Sequence, residues 1–285
     1  MNTRESLNPQ SDLKTDATHS VLESVISGLI EPRQDAPEIY KPTLISNRPG
    51  NLTMHDEISD ALTNSDSFDI SVAFVSPDAI LSLFEDFRSH HANASEQVSR
   101  LITSTKNHFN DPRAFWELLH LQRTAGVDVR VWAGSDSSVS VAQGQPFHPK
   151  GYVFSRRMRN GTPYYDLFVG SSNLTGAALN TQREWNLKVS SLANGELVAQ
   201  VRDEIDSQIA DSKPLTEEWI KQYEEDFKKY APPRRDILKS LEGREIQPNA
   251  MQKEALASLK KLREKGEHRA IIVSATGTGK TYLSA

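Results

Sequence analysis

In SVLESVISGLI the apolar residues Val21, Leu22, Val25, Ile26, Leu29 and Ile30 recur at helical spacing. They predict a short amphipathic helix inside a polar, proline-containing and mobile lead-in, residues 1–40. From Lys41 the rhythm becomes an alternation of strand-like and helix-like segments. SFDISVAFV reads as a strand, and SPDAILSLFEDF as a helix with Ser76 at its N-cap and Pro77 at its first position. RLITS is a second strand. NDPRAFWELLHLQRTAG repeats the cap-then-proline opening at Asp111–Pro112 and closes at Gly126, where the left-handed turn of a helix end favours glycine. VDVRVWAG and REWNLKVS are further strands, and GELVAQVRDEIDSQI is a helix. Alternation of this kind predicts an α/β layered domain over 41–209. Residues 210–246, charge-rich and broken by APPRRD, read as a partly helical linker. A last part, 247–285, begins with a helix through MQKEALASLKKLREKG and continues into the apolar strand RAIIVSA and the loop TGTGKT.

The segment FHPKGYVF places His148, Lys150, Tyr152 and Phe154 on one face of a strand, because strand side chains alternate. Pro149 cannot donate to the ladder, which marks a strand start or an edge. Further on, Asn160-Gly161 between two apolar-rich runs is a strong hairpin signal. A two-residue turn there would set Lys150 opposite Ser171 and His148 opposite Asn173, gathering all four in one patch. The same register would pair Asp166 with Ser155 and turn both to the opposite face.

Composition narrows the chemistry. The 285 residues carry 33 basic and 38 acidic side chains, a net charge of −5, which excludes a uniformly basic nucleic-acid coat. Between His148 and Lys188, however, six basic residues (Lys150, Arg156, Arg157, Arg159, Arg183, Lys188) face two acidic ones (Asp166, Glu184). With no cysteine, a disulfide scaffold, a thiol nucleophile and a cysteine zinc site are ruled out. The N-terminus has no apolar signal region and no run is long enough to span a bilayer, so a cytoplasmic protein without membrane contact is expected. The seven other histidines show no metal-ligand spacing.

His148-x-Lys150, then GSSN at Gly170–Asn173, then Glu184 eleven residues past the asparagine, resembles the nuclease branch of the phospholipase D superfamily. The resemblance implies a phospholipase D-like layered α/β domain with a mixed central sheet, acting as a metal-independent DNA endonuclease with no cofactor. It further implies that His148 attacks a phosphodiester phosphorus to form a phosphohistidine. Lys150 and Asn173 would hold the non-bridging oxygens, Glu184 would orient a histidine, and Ser171 belongs to the same motif. The residue types suit that chemistry. Imidazole serves as nucleophile or proton donor near neutral pH, and a fixed ammonium and amide stabilise charge on the equatorial oxygens. One departure is Ser155, which stands where the longer family signature has an aspartate five residues after the lysine.

SATGTGKT after an apolar strand resembles motif I of superfamily 2 helicases, and QPNAMQKEAL resembles their Q motif. This implies Gln252 as adenine reader and Gly277, Thr278, Gly279, Lys280 and Thr281 as phosphate and Mg²⁺ contacts for ATP. No acidic Walker B segment follows, so ATP hydrolysis is expected only of a longer chain. The order of parts looks like bacterial proteins that fuse a phospholipase D-type nuclease to a helicase, among them restriction and phage-defence enzymes. The implied chemistry needs two histidines and each chain has one H-x-K, so a homodimer acting on DNA is expected. Two other readings remain open: a non-catalytic DNA-docking domain of a helicase, and a phosphodiesterase or transferase on a non-nucleic substrate.

Overall fold

The computed structural model describes residues 9–93, 97–105, 108–132, 147–231, 257–258 and 260–266. The chain divides into two units, Met1–Ala231 and Pro232–Ala285. In the second, helical residues between 257 and 264 end at Gly266, whose φ of 84° supplies the left-handed turn.

The first unit is built on one mixed sheet of eight strands: β1 (Thr43–Ile45), β2 (Ser67–Val72), β3 (Arg100–Thr103), β4 (Asp128–Trp132), β5 (Lys150–Arg157), β6 (Pro163–Gly170), β7 (Asn186–Leu192) and β8 (Ser212–Pro214). Their order is β1-β7-β6-β5-β2-β3-β4-β8. The β2–β3 and β3–β4 pairs are parallel and the remaining pairs antiparallel. The parallel part is where helices intervene between strands: α3 (Pro77–Ser82) and α4 (Phe84–Asn93), then α5 (Pro112–Ala125). Alternation along β5 and β6 feeds two cores. Tyr152, Phe154 and Phe168 pack with β2 against α2 (Met54–Thr63), α3, α4 and α5, while Val153 and Leu167 pack against Val198 and Ile205 of α7 (Glu196–Ala210). The result is a layered α/β domain with helices on both sheet faces.

Several local signals act as the sequence indicates. Asp111 accepts a hydrogen bond from Arg113 N at 2.9 Å, Pro112 opens α5, and Gly126 ends it at φ 63°. The segment after β2 is two helices, not one, because the chain turns at Leu83. At the N-terminus, α1 (Pro9–Leu29) is longer than its apolar stretch and is not a loose lead-in from Ala17 onward. Ala17 is buried with Met158 and Tyr164, and Tyr40 meets the Tyr164 ring edge-on at 5.1 Å.

Residues 210–231, which charge density alone marks as linker, join the domain. β8 completes the sheet beside β4, and α8 (Glu217–Tyr230) buries Ile220 and Tyr223 against α5. Trp219, Ile220, Tyr223 and Phe227 form an apolar stripe at helical spacing that the surrounding charges mask.

The β5–β6 hairpin differs from expectation by one residue. Gly151 faces Val169, Phe154 faces Asp166 and Arg157 faces Pro163. The turn is not the two-residue Asn160-Gly161 type. Met158 N donates to Thr162 O (2.9 Å) and Gly161 N to Met158 O (2.8 Å), enclosing a three-residue loop, Arg159–Gly161. Gly161 takes φ 82°, and the Asn160 side chain accepts from Thr162 N at 3.0 Å. The extra residue shifts every pair and reverses the parity of one strand relative to the other. Lys150 therefore falls beside Gly170, and Asp166 lies on the Lys150 face instead of the opposite one.

His90 is a buried histidine in α4, 1% exposed, between Ser65 (3.3 Å) and Ser99 (2.8 Å). Burial holds its pKa below the ordinary histidine value, and burial lowers His108 as well. In the unfolded chain both take up a proton near pH 6.5, whereas the folded chain resists it. Stability should thus fall as pH drops below about 6.5. Urea unfolding at pH 7.5 and 5.5 measures this, and His90→Gln should reduce the difference.

Candidate active site

The site lies where β5 begins and β6 ends. Pro149 O accepts from Ala73 N at 3.1 Å, which ties the segment before β5 to the end of β2. His148 is exposed and meets the Phe74 ring edge-on, with centroids 5.8 Å apart; Phe74 in turn packs on Phe109 at 5.3 Å. Lys150 is half-buried, and its Nζ lies 3.0 Å from His148 Nδ1 and 3.1 Å from Nε2. The near-equal distances set the ammonium over the ring and not in line with either nitrogen's lone pair, so the imidazole and the cation share one small space.

Asn173 reaches this pair through Phe74. Its Oδ1 accepts from Phe74 N at 3.2 Å, and Leu174 N donates to Phe74 O at 3.1 Å. With the oxygen anchored, the Nδ2 protons are the end of the side chain left to offer an anion. The ladder does not bring Asn173 to His148, as a two-residue turn would have done. The chain leaves β6 at Gly170 and folds back onto the end of β2.

Ser171 and Glu184 form the third part. Ser171 Oγ donates to Glu184 Oε2, Trp185 N donates to Ser171 Oγ at 3.0 Å, and Ser171 N donates to Trp185 O at 3.0 Å. Gly170 is required here, since a Cβ would overlap Trp185 O and Asn186 Oδ1. Beneath the surface, Ser172 N donates to Asn186 Oδ1 (3.1 Å) and Asn186 Nδ2 to Ser172 Oγ (2.8 Å). Tyr152 donates to Ser172 O at 3.0 Å; burial, and then the charge of Glu184, push its pKa well up, so the phenol stays a donor. Phe74, Tyr152, Ser172 and Asn186 are thus the supports of the site. In the sequence they read as ordinary strand and turn residues, and only Ser172, inside GSSN, carried a signal.

The local excess of basic residues is largely absorbed by ion pairs. Arg156, 6% exposed, pairs with Asp166 (3.0 Å) and Asp60 (3.1 Å), Arg157 with Asp66 (2.8 Å) and Lys188 with Glu57 (3.0 Å). Arg156, Arg157 and Arg159 also sit toward the hairpin tip, about 20 Å along β5 from Lys150. Asp166 is outside the site because it is fully buried beside Arg156 and Ser190, not because of its face. Ser155 is buried an odd number of residues from Lys150, on the other face of β5. Gln252, Gly277, Thr278, Gly279, Lys280 and Thr281 lie outside the described residues. Among the described residues, no group of three or more His, Asp or Glu is placed to hold a metal ion, and no helix is long and apolar enough to cross a membrane.

Comparison with known families gives this arrangement its class. The family model described as "Cardiolipin synthase, PLD-like domain" matches residues 56–209, more than half of the chain, and the chain belongs to this phospholipase D-like family. A second model, "Type III restriction enzyme, res subunit", matches residues 245–285. The chain is therefore a phospholipase D-like domain joined to a helicase-type fragment. Similar solved structures include NucT from Helicobacter pylori (13% identity, 61% of this chain and 98% of that chain covered, TM-score 0.45). Nuc from Salmonella typhimurium, a phospholipase D family member, gives 11% identity, the same coverages and a TM-score of 0.43. Polyphosphate kinase from Porphyromonas gingivalis gives 15% identity, with 64% of this chain and 29% of that chain covered, and a TM-score of 0.43. No curated protein matches the chain.

Proposed function

We propose that the phospholipase D-like domain is a DNA endonuclease that works through a phosphohistidine without a metal ion. The observation that carries this reading is the Lys150 ammonium within hydrogen-bond distance of the His148 ring, beside an Asn173 amide anchored through its oxygen. An arriving phosphate takes the ammonium from the imidazole. The freed ring nitrogen attacks phosphorus, and the P–O bond to the leaving oxygen breaks. Lys150 Nζ and Asn173 Nδ2 hold the non-bridging oxygens as charge builds on them. The leaving oxygen takes a proton from a second histidine. Water then cleaves the P–N bond, returning the imidazole and placing the phosphate on one DNA end. Glu184, set by Ser171, keeps a histidine oriented.

The second histidine is best supplied by a second copy of the chain, since H-x-K occurs once. A two-fold axis beside β5 would bring two His148–Lys150 pairs to one phosphate. The res-subunit match supports a helicase module beside the nuclease, with ATP and Mg²⁺ held by Gln252 and Gly277–Thr281, and a restriction or phage-defence role.

A single assay tests the reading. Plasmid DNA is incubated with the chain in EDTA, alone and mixed with excess His148→Ala chain. Cleavage should persist in EDTA and fall faster than the wild-type fraction, because heterodimers lack one histidine. Cleavage abolished by EDTA removes the phosphohistidine mechanism. Salt-sensitive binding without cleavage would favour a docking domain, and hydrolysis of phosphatidylcholine instead of DNA a lipid substrate.

A further inference from the structure

Phe74 is where the parts of the site meet: its ring stands against His148, and its amide donates to Asn173 Oδ1. It lies two residues past the end of β2, where the β2–β3 ladder has run out. Something else must fix its backbone on that side.

Asn110 does so. Its side-chain Oδ1 accepts from Val75 N at 2.9 Å, and its Nδ2 donates to Ala73 O at 3.3 Å. One primary amide thus serves the two peptide groups on either side of Phe74, as a peptide of a neighbouring strand would. Its orientation is fixed, because the reversed amide would set donor against donor at Val75 and acceptor against acceptor at Ala73. Asn110 is 1% exposed and is held from two further directions. Nδ2 also donates to Ser104 O at 2.6 Å, and the backbone O accepts from the Tyr223 hydroxyl of α8 at 2.8 Å. Its neighbour Phe109 packs on the Phe74 ring with centroids 5.3 Å apart. The loop before α5 therefore grips Phe74 twice, by the backbone through Asn110 and by the ring through Phe109. The opening of α5 does not account for this, since Asp111 is the residue that caps it.

We propose that Asn110 is a positioning residue for the phosphodiester reaction. By fixing the peptides around Phe74 it sets the His148 ring and the Asn173 amide relative to each other, without touching substrate. The effect on rate rests on the nuclease reading; the position of the His148 ring does not.

The full chain, labelled in its histidines, gives the first readout. The His148 ring signal in a carbon–proton spectrum, identified by its loss in His148→Ala, carries the ring current of Phe74. It should shift in Asn110→Ala and Asn110→Asp, while the signal of His19 in α1 stays in place. Single-turnover cleavage of a saturating oligonucleotide should fall about 10²-fold in Asn110→Ala, the order expected when a reacting group is displaced by about 1 Å. The concentration for half-saturation should change little. Asp166→Ala supplies the comparison for destabilisation alone, since Asp166 is buried beside Arg156 and away from Lys150. It should unfold more easily and keep its rate per folded molecule. In a Phe74→Leu chain the further change Asn110→Ala should cost much less than it does alone, because the route through Phe74 is already broken. Tyr223→Phe removes only the hydroxyl over Asn110 O; it should move the His148 signal less, and it serves where Asn110→Ala fails to fold. An unmoved His148 signal with an unchanged rate in Asn110→Asp and Tyr223→Phe overturns the proposal, as does full additivity with Phe74→Leu. A signal that moves in a protein whose wild-type form never cuts would keep Asn110 as the anchor of the ring and end the nuclease reading. Wild-type cleavage with signal and rate indifferent to Asn110 would do the opposite.

Discussion

Alanine in place of His148 should lower the rate of DNA cleavage by about 10⁴-fold or more, because no other group can form the P–N bond. Lys150→Ala should cost about 10²- to 10³-fold, the usual loss when one donor to developing oxyanion charge is removed. Neither change should unfold the protein. His148 is exposed and Lys150 half-buried, and the backbone that holds them is bonded through Pro149 O to Ala73 N. Asn173 requires more care, since its Oδ1 caps the Phe74 amide. Asn173→Asp keeps an acceptor there and exchanges the amide donor for negative charge. A thermally stable Asn173→Asp chain with activity down at least as far as Lys150→Ala would show the amide acting on the phosphate. Single-turnover rates on an oligonucleotide, beside melting curves for each variant, measure all three. Undiminished cleavage by His148→Ala would remove this site from the reaction.

The largest effect on stability should come from Asp166. Its carboxylate is fully buried, accepts from Ser190 Oγ, and lies 3.0 Å from Nη1 of Arg156, a guanidinium 6% exposed. Among the described residues, Asp166→Ala would leave that cation with Asp60 as its acidic partner, whose side chain is 57% exposed. Breaking a buried pair from one side costs about 3–5 kcal/mol, most of it the penalty of an uncompensated charge. Urea unfolding of Asp166→Ala should show a loss of that order, whereas Asp60→Ala should cost far less. Arg156→Met combined with Asp166→Ala should recover part of the loss, since removing both charges ends the desolvation cost. Cleavage per folded molecule should change little, because Asp166 lies down the strand from Lys150. A loss of activity in Asp166→Ala at full stability would place it in the chemistry.

Much of the domain was legible locally. Helix α5 is delimited by Asp111–Pro112 and Gly126 through bonds within a few residues of each end, so sequence spacing was sufficient there. The same holds for strand alternation in β5, which put Tyr152 and Phe154 in one core and Val153 in the other. The membership of α8 was obscured because its apolar stripe is embedded in Glu and Lys, and a charge count averages over faces that a helix separates.

What local pattern alone determined was which segments are strands or helices, which face each strand residue takes relative to its own neighbours, and which residue types are available for phosphoryl chemistry. The tertiary structure decided how those segments are aligned. Whether Asn160-Gly161 closes as a two- or a three-residue loop turns on one bond, Gly161 N to Met158 O, and that choice moved every cross-strand partner by one. It likewise decided that Asn173 meets His148 through Phe74, ninety-nine residues away from Asn173 in sequence, and that half the basic residues near the motif are engaged by Asp60, Asp66, Asp166 and Glu57. Periodicity and capping are set by contacts a few residues apart. Register and charge pairing depend on groups from distant segments competing for the same partners, and that competition is settled only when the chain is packed.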